Sequence, residues 1–289
     1  MAGGAGSRLD KSQRELVRNI LAASSTTAFC VAVMNPIDVL RIRWQTKPVE
    51  LNRLSISKFI AQQTSGPGFF RRIYLPGVGV NAASVATSSG LRLGLYPLTK
   101  DLVCKMVDVG EANSSIMFAS GFLSGALGFL LATPFFTAKI QAQAFGADRS
   151  GWSYLVSACT KSNPFRGSSI LVTRGALFSA GFSLGYDGTK TRLRKRNVTE
   201  GPLVHAAASV VAAVVSTGLA APFDSMLTRF QTSPSGTGLV QCAQGIYQEH
   251  GPRGYFRGWS LFFARVAPLF VVQLPLYEQA RRLLGMDFM

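Results

Sequence analysis

Two arginines interrupt apolar segments of this chain, where a charged side chain needs a partner. Arg174 lies in LVTRGALF and Arg265 lies in FFARVAPLF, and neither has an acidic residue within one helical turn. An unpaired arginine inside a membrane helix costs at least about 2.5 kcal/mol on insertion scales. We therefore expect a solute to supply the counter-charge, because a guanidinium group binds a carboxylate or a sulfate through two parallel hydrogen bonds.

The segments that carry these arginines belong to a threefold internal repeat. One phrase recurs as PIDVLRIRWQ, PFFTAKIQAQ and PFDSMLTRFQ, beginning at Pro36, Pro134 and Pro222. The starts are 98 and 88 residues apart, so each copy spans roughly one hundred residues. Each phrase closes an apolar run of helical length, and this pattern favours a pseudo-threefold membrane protein.

A second pattern predicts another long helix in each repeat. A tyrosine follows a glycine by 19 residues in Gly77–Tyr96, Gly167–Tyr186 and Gly258–Tyr277. We predict an all-α membrane protein with six transmembrane helices in three tandem two-helix repeats related by pseudo-threefold symmetry. The single domain covers 1–289, with repeats of about 14–106, 113–197 and 201–285 and second helices at about 79–106, 169–197 and 260–285. The stretches 56–63 and 237–248 are predicted to be short amphipathic helices at the interface.

The composition excludes several classes of protein. The chain is 47% hydrophobic and only 15% charged, with a mean hydropathy of +0.23, so part of its surface must face lipid. Its net charge of +16 is spread over helix ends and loops, which favours anionic headgroups or an anionic solute over nucleic acid. Four cysteines without CxxC spacing and two histidines predict no metal site, and no catalytic constellation or cofactor motif is present, so we expect no enzyme.

These motifs resemble those of the mitochondrial carriers, solute carrier family 25, over essentially the whole chain. The family signature is Px[DE]xx[KR] on odd-numbered helices and [FY][DE]xx[KR] on even-numbered ones. The resemblance implies a multi-pass protein of the mitochondrial inner membrane, with cardiolipin at matrix-side helix ends. It also implies a central cavity that a matrix gate and a cytoplasmic gate close in turn. Phe136 replaces an acid and Leu227 replaces a base, and these departures, with SGLRLGLY at 89–96, resemble the oxaloacetate carrier and its orphan relatives.

The resemblance assigns the matrix gate to charged residues of the odd-numbered helices. We expect Lys139 to reach Asp224, while Arg41 faces the apolar residue of the second copy and Asp38 faces that of the third. Only one of three interhelical bridges would then survive, and the gate would open easily, with Asp38 pairing with Arg41 on their own helix. The glutamines one turn below are expected to brace the bridges: Gln45, Gln143 and Gln231.

The resemblance also implies a cytoplasmic gate on the even-numbered helices. Its charged positions are Lys100, Asp187, Lys190, Glu278 and Arg281. Pro97 replaces the first acid of this set. We expect up to two bridges when this gate is closed, Lys100 with Asp187 and Lys190 with Glu278. The alternative for each charge is simple anchoring of a helix end at the headgroups.

Counting back from the acidic positions of the even-numbered helices predicts the substrate contacts within the cavity. In the family the contact points correspond to Ser84, Val85, Arg174, Gly175, Arg265 and Val266, and Arg92 is a candidate third cation. The alternative for Arg265 is a structural role, because an arginine followed three residues later by proline is common in the family.

Together with the resemblance, these residues predict a mitochondrial inner-membrane transporter that moves a small dianion by alternating access. Candidate substrates are a dicarboxylate or keto-dicarboxylate such as oxaloacetate, or sulfate, moved by exchange or with a proton. The alternative is a transport-inactive structural subunit of a larger inner-membrane (respiratory) complex. The incomplete matrix ring and Pro97 motivate that alternative, since a fold alone does not determine a function.

Overall fold

The computed structural model of the chain describes residues 17–46, 55–107, 114–146, 150–160, 163–196, 201–234 and 236–283, apart from positions 19 and 23. These residues form helices and connecting turns, with no strand among them. The helices in chain order are α1 (Ile20–Val33), α2 (Asn35–Thr46), α3 (Ile56–Thr64), α4 (Val78–Val107), α5 (Ser114–Phe145), α6 (Gly151–Thr160), α7 (Ser168–Lys195), α8 (Pro202–Thr232), α9 (Leu239–His250) and α10 (Trp259–Leu283). A π-helical turn at Phe70–Tyr74 precedes α4, and a 3₁₀ turn at Pro252–Phe256 precedes α10.

The helices follow one order three times: a long first segment, a short connecting helix and a long second helix. The first segments are α1–α2, α5 and α8, and they correspond to the odd-numbered transmembrane helices of the family. The second helices are α4, α7 and α10, and they correspond to the even-numbered ones. The predicted second helices agree with α4, α7 and α10 to within two residues at each end. The predicted amphipathic stretches at 56–63 and 237–248 form α3 and α9. The sequence patterns therefore located the long helices correctly.

The three repeated prolines act differently in the three copies. α5 and α8 continue through Pro134 and Pro222, whereas the first odd segment breaks at Met34, just before Pro36. There α1 and α2 meet at a bend of 63°. A proline inside a helix removes a backbone hydrogen bond and crowds the preceding turn, so each of these sites is a natural place for a bend.

A glycine in left-handed conformation begins each even-numbered helix. The φ angles are 64° at Gly77, 82° at Gly167 and 81° at Gly258. A side chain there would also meet a glutamine of a neighbouring repeat, in the pairs Gly77–Gln143, Gly167–Gln231 and Gly258–Gln45. Glycine therefore allows both the turn into the helix and the close approach of these glutamines.

Two described helices are long and apolar enough to cross a membrane on their own. They cover Ala119–Phe145 of α5 and Val204–Thr232 of α8, and the bent pair α1–α2 makes a third if it counts as one span. The even-numbered helices α4, α7 and α10 have 30, 28 and 25 residues, which is long enough to span a bilayer. Their mean hydropathy is lower because their sequences contain more polar and charged residues.

We predict that Gly167→Ala destabilises the fold. Alanine in this left-handed conformation costs about 1–2 kcal/mol, and its Cβ would lie 3.3 Å from the Leu227 side chain. Thermal unfolding in detergent should show a melting temperature several degrees lower. Gly218→Ala in α8 is the matched control, because a Cβ at that helical position meets nothing within 4 Å. Equal melting temperatures for the two variants would contradict the prediction.

Candidate functional site

A buried carboxylate on α2 binds three cations. Asp38 is fully buried, and its oxygens lie 3.0 Å from Arg41, 2.9 Å from Lys139 and 3.0 Å from Arg265. Arg41 is on the same helix, whereas Lys139 comes from α5 and Arg265 from α10. Asp38 therefore joins three helices at one point.

A second buried carboxylate, on α8, completes the arrangement. Asp224 forms an ion pair with Arg41 across the helix interface, and the Nε atom of Arg174 lies 2.8 Å from its other oxygen. The Gln45 amide donates a hydrogen bond of 3.0 Å to Asp224 Oδ2. Arg41 thus bridges the two aspartates and links the two halves of the cluster.

The ion cluster is defined by six side chains: Asp38, Arg41, Lys139, Arg174, Asp224 and Arg265. Four cations face two carboxylates, so the cluster carries two excess positive charges. Within the described part of the chain, no further acidic side chain forms an ion pair with it. Because buried charges are stable only when they are paired, this excess is the main chemical feature of the site.

The ion pairs correct the predicted direction of the matrix gate ring. We expected Lys139 to reach Asp224, but Lys139 binds Asp38, and Asp224 binds Arg41 instead. The expectation of one surviving interhelical bridge is therefore wrong, because two are formed. The spacing of the motifs along the chain is the same for either direction around the ring, so it carried no information about this choice. The predicted pair within α2, Asp38 with Arg41, is present.

The two substituted gate positions lie together. Phe136 and Leu227 belong to one buried apolar cluster, which also contains Ile42, Ile140 and Leu171. The expectation that these substitutions would leave Arg41 and Asp38 without interhelical partners is wrong, because Arg41 pairs with Asp224 and Asp38 pairs with Lys139. An apolar contact replaces the third bridge, and it needs neither charge nor hydrogen bonds.

Both cavity arginines have protein partners, which corrects a further expectation. Arg174 of α7 pairs with Asp224 of α8, and Arg265 of α10 pairs with Asp38 of α2. A solute is therefore not their only counter-charge. The partner aspartates lie on other helices, so the sequence within one turn of each arginine does not contain them.

An aromatic ring that sequence reasoning missed lies against the cluster. The Phe262 ring centroid is 4.8 Å from the Arg41 guanidinium and 5.4 Å from that of Arg174. A desolvated cation–π contact stabilises a charge by about 2 kcal/mol. The sequence FFAR could have predicted this contact, because Phe262 precedes Arg265 by three residues and therefore lies on the same side of the helix.

A network of buried amides supports the cluster. The Gln143 amide donates to Asn35 Oδ1 at 2.7 Å, and the Asn81 amide donates to Asn35 Oδ1 at 2.8 Å and to Asp38 Oδ2 at 3.3 Å. Asn35 in turn donates to the carbonyl oxygens of residues 74 and 76. The sequence analysis missed both asparagines, although Asn35 directly precedes the repeated proline.

The three glutamines of the repeat contact different partners. Gln45 hydrogen-bonds to Asp224, Gln143 acts through Asn35, and Gln231 donates to the backbone oxygen of Arg166 at 3.4 Å. Of the three, only Gln45 touches an ion-pair carboxylate directly. Their common feature is instead the contact with the glycine that begins an even-numbered helix.

The structure gives the burial and the contacts of the remaining predicted contact residues. The Ser84 hydroxyl is fully buried and donates to the backbone oxygen of Asn81, while Val85 is half-buried. Gly175 lies against Phe129 of α5, and Val266 packs within a buried apolar cluster. The Arg92 side chain lies outside the described residues, so its role stays a prediction.

The predicted cytoplasmic gate is described only in part. Lys100 and Lys190 are half-buried at the C-terminal halves of α4 and α7, and the Lys190 ammonium lies 5.8 Å from the Tyr186 ring centroid. The side chains of Asp187, Glu278 and Arg281 lie outside the described residues. The predicted bridges of this gate stay predictions.

Comparison with known proteins identifies the family of the chain. The family profile described as mitochondrial carrier protein matches residues 12–107 and 199–288, which is more than half of the chain. The chain belongs to the mitochondrial carrier family, whose members are transporters of mitochondrial membranes.

Three relatives match nearly the full length of the chain. The mitochondrial dicarboxylate carrier of Caenorhabditis elegans is 25% identical over 89% of this chain and 91% of its own length. Dicarboxylate carrier UCP2 of Danio rerio is 26% identical, with 89% of each chain covered. Mitochondrial substrate carrier family protein ucpB of Dictyostelium discoideum is 25% identical over 88% of this chain and 91% of its own length. None of the three is named an oxaloacetate carrier, so that narrower resemblance stays a prediction.

We predict that a double-mutant cycle will detect the pair Lys139–Asp38. Combining Lys139→Met with Asp38→Asn should give a coupling free energy of about 0.5–3 kcal/mol, as for residues in direct contact. Lys139→Met combined with Asp224→Asn should give a smaller value. The free energies come from thermal unfolding of the purified variants in detergent. A larger coupling with Asp224 would restore the pairing expected from sequence.

Proposed function

We propose that the chain carries a small dianion, of the dicarboxylate, keto-dicarboxylate or sulfate type, across the mitochondrial inner membrane by alternating access. The excess of two positive charges in the ion cluster is the observation that supports this proposal. One dianion neutralises that excess. A monoanion leaves part of it uncompensated.

Arg174 and Arg265 are the side chains best placed to meet the substrate. They are 15% and 10% exposed, whereas the other four charged side chains of the cluster are no more than 4% exposed. They come from α7 and α10, two of the even-numbered helices. Two guanidinium groups held apart on different helices suit two negative groups at the ends of one small molecule.

Substrate binding at these arginines would act directly on the matrix gate. Each arginine holds one of the gate aspartates, so a substrate carboxylate competes with Asp224 for Arg174 and with Asp38 for Arg265. Occupancy of the site therefore weakens the closed arrangement. This coupling favours exchange, because an empty site restores the ion pairs and the gate closes again.

The relatives support the same substrate class. Two proteins similar to this chain along most of its length are named dicarboxylate carriers. At about one quarter identity they do not assign a particular substrate to this chain. Oxaloacetate, malate and sulfate therefore remain the candidates to compare.

The alternative, a transport-inactive structural subunit, loses its main argument. It was motivated by a matrix ring with one bridge, whereas two bridges and a complementary apolar contact close the ring. A relic without transport has no need for two partly accessible arginines in the ion cluster. Transport is therefore the function that we propose.

Anionic lipid at the matrix side is a further part of the proposal. A cavity of about 240 Å³ lies between the start of α4, at Gly77–Val80, and the start of α6, at Ser150–Trp152, with Arg71 at its edge. Two helix N-termini and an arginine provide donors for a phosphate group. This arrangement supports the expected position of a cardiolipin headgroup.

We predict that liposomes containing the purified protein take up labelled malate, oxaloacetate or sulfate saturably. Arg174→Gln and Arg265→Gln should each reduce uptake at low substrate concentration by about tenfold to a hundredfold, which is the range for loss of one charge-assisted contact. The measurement is the initial rate of uptake against internal unlabelled substrate.

The matched control is Arg253→Gln, because Arg253 is exposed in the 3₁₀ turn before α10 and takes no part in the ion cluster. It should transport like the parent protein. If uptake survives in both cluster variants, the chain is a carrier but the site is wrong. If folded protein transports none of the three dianions, the proposed function is wrong.

A further inference from the structure

A histidine lies between two arginines where α8, α9 and the 3₁₀ turn before α10 meet. His250 is the last residue of α9, and its Nε2 atom is hydrogen-bonded to the guanidinium group of Arg257 and lies 3.5 Å from that of Arg229. Arg257 directly follows the turn, and Arg229 belongs to the last turn of α8. The His250 side chain is 11% exposed, so these neighbours enclose most of it while solvent still reaches it.

The two arginines determine the protonation state of this histidine. A guanidinium group only donates hydrogen bonds, so Nε2 of His250 must accept them. An imidazole that accepts at Nε2 is neutral and carries its proton on Nδ1. Protonation of Nε2 would direct an N–H group at two N–H donors and add a positive charge beside two others. His250 therefore bridges the arginines only while it is neutral.

Two glycines bring the turn against the histidine. Gly251 ends α9 with a φ angle of 65°, which lets the chain fold back on the helix. A Cβ on Gly254 would lie 2.7 Å from the Cβ of His250, so the turn packs directly on this residue. The histidine thus contacts the turn through its Cβ as well as through its ring.

Both arginines reach from His250 to the end of α2. The Nε atom of Arg229 donates to the backbone oxygen of Gln45 at 3.4 Å. The guanidinium group of Arg257 lies 4.7 Å from the Trp44 ring centroid, which is a cation–π distance. His250 therefore links α9 to α2 through two cations that come from two other elements.

The end of α2 is in turn connected to the ion cluster. The Gln45 amide donates to the backbone oxygen of Arg257 at 3.2 Å, and the same amide donates to Asp224 of the cluster at 3.0 Å. A movement of Arg257 thus changes the position of a group that holds Asp224. The contacts form a continuous path from His250 to one of the two carboxylates of the cluster.

The charges around His250 oppose its protonation. Burial, together with the charges of Arg257 and Arg229, holds the pKa of His250 below its usual range, against the attraction of Glu249. Glu249 forms an ion pair with Arg229 and lies 3.7 Å from Nε2 of the histidine. The hydrogen bond from Arg229 holds the pKa of Glu249 below its usual range, so this acid stays ionised. Within the described residues, these three charged groups face the histidine from α8, α9 and the turn, and α2 contributes uncharged groups.

The direction of the pH effect follows from the preference for the neutral imidazole. The unfolded chain titrates this histidine near pH 6.5, whereas the folded protein takes up the proton only at lower pH. The stability that the histidine contributes is therefore complete above about pH 6.5, and it is lost as the pH falls through the lower pKa of the folded state.

We propose that His250 is a positioning residue for transport, which holds Arg229 and Arg257 against α2 while it is neutral and releases them when it is protonated. The proposal rests on the proposed function, in which a substrate competes with Asp224 for Arg174. Release of the arginines loosens the Gln45 amide on Asp224, and the competition becomes easier for the substrate. Mildly acidic pH therefore tightens substrate binding and weakens the closed arrangement.

Two variants separate the acceptor from the proton. His250→Gln keeps an acceptor oxygen near the position of Nε2 and cannot be protonated in this range, whereas His250→Ala removes the acceptor at every pH. The melting temperature of the purified full chain in detergent is measured from about pH 8 down to about pH 5.5, on both sides of the ordinary histidine pKa. We expect acidification to lower the melting temperature of the parent chain by about 2–4 °C more than that of the glutamine variant. The alanine variant should melt below the parent chain already at the upper end of this range.

Uptake into liposomes tests the effect on the substrate site. The half-saturation concentration for labelled malate, oxaloacetate or sulfate is compared at about pH 7.5 and about pH 6, equal on both sides of the membrane, where these dianions stay ionised. In the parent chain it should fall about twofold to tenfold on acidification, which is the range for one lost hydrogen bond. The glutamine variant should keep the higher value at both pH values, and the alanine variant should show the lower value at both.

His205→Gln is the matched control, because His205 is the other of the two histidines of the chain and lies near the start of α8, hydrogen-bonded to Tyr186. It should respond to pH like the parent chain. Equal pH responses of the parent chain and His250→Gln overturn the inference, and so does a half-saturation concentration that does not change with pH in the parent chain. If the folded protein takes up none of the three dianions, the proposed function is wrong, and the melting temperatures then decide whether the protonation of His250 controls the hold on α2.

Discussion

The sharing of two buried aspartates among four cations is the constraint on which the rest of the structure depends. Asp38 of α2 binds cations from α5 and α10, and Asp224 of α8 binds cations from α2 and α7. Removing one partner of a buried ion pair is strongly destabilising, because the remaining charge is then neither paired nor hydrated. The helices therefore converge at this level.

The three contacts of the matrix ring are not equivalent. Two are ionic and both involve α2, through Asp38 with Lys139 and Arg41 with Asp224, whereas the third joins α5 and α8 through apolar residues. An anion can substitute for an aspartate beside a cation, but it offers nothing to an apolar contact. The interface between α5 and α8, where Phe136 and Leu227 replace an ion pair, therefore offers no charged group for which an anion could compete.

The sequence predicted the repeat, the long helices and the residue types of the site, because these depend on local patterns. The glycines before α4, α7 and α10 and the residues of the gate could be read from spacing alone. The ion-pair partners could not be predicted, because the spacing of motifs along the chain is the same for either direction in which the three repeats close into a ring. Arg174 and Arg265 illustrate the same limit: both acids that hold them lie on other helices. The roles of Asn35 and Asn81 were not predicted, because a single amide side chain gives no periodic pattern in the sequence.

The surplus charge of the ion cluster also bears on how many negative charges a ligand brings. In a medium of low dielectric constant the energy of an uncompensated charge is large, so the site favours the ligand that brings the total closest to zero. A dianion meets this condition, while a monoanion leaves one charge and a trianion adds one of opposite sign. On the proposed function, charge therefore determines which class of ligand binds at the two arginines.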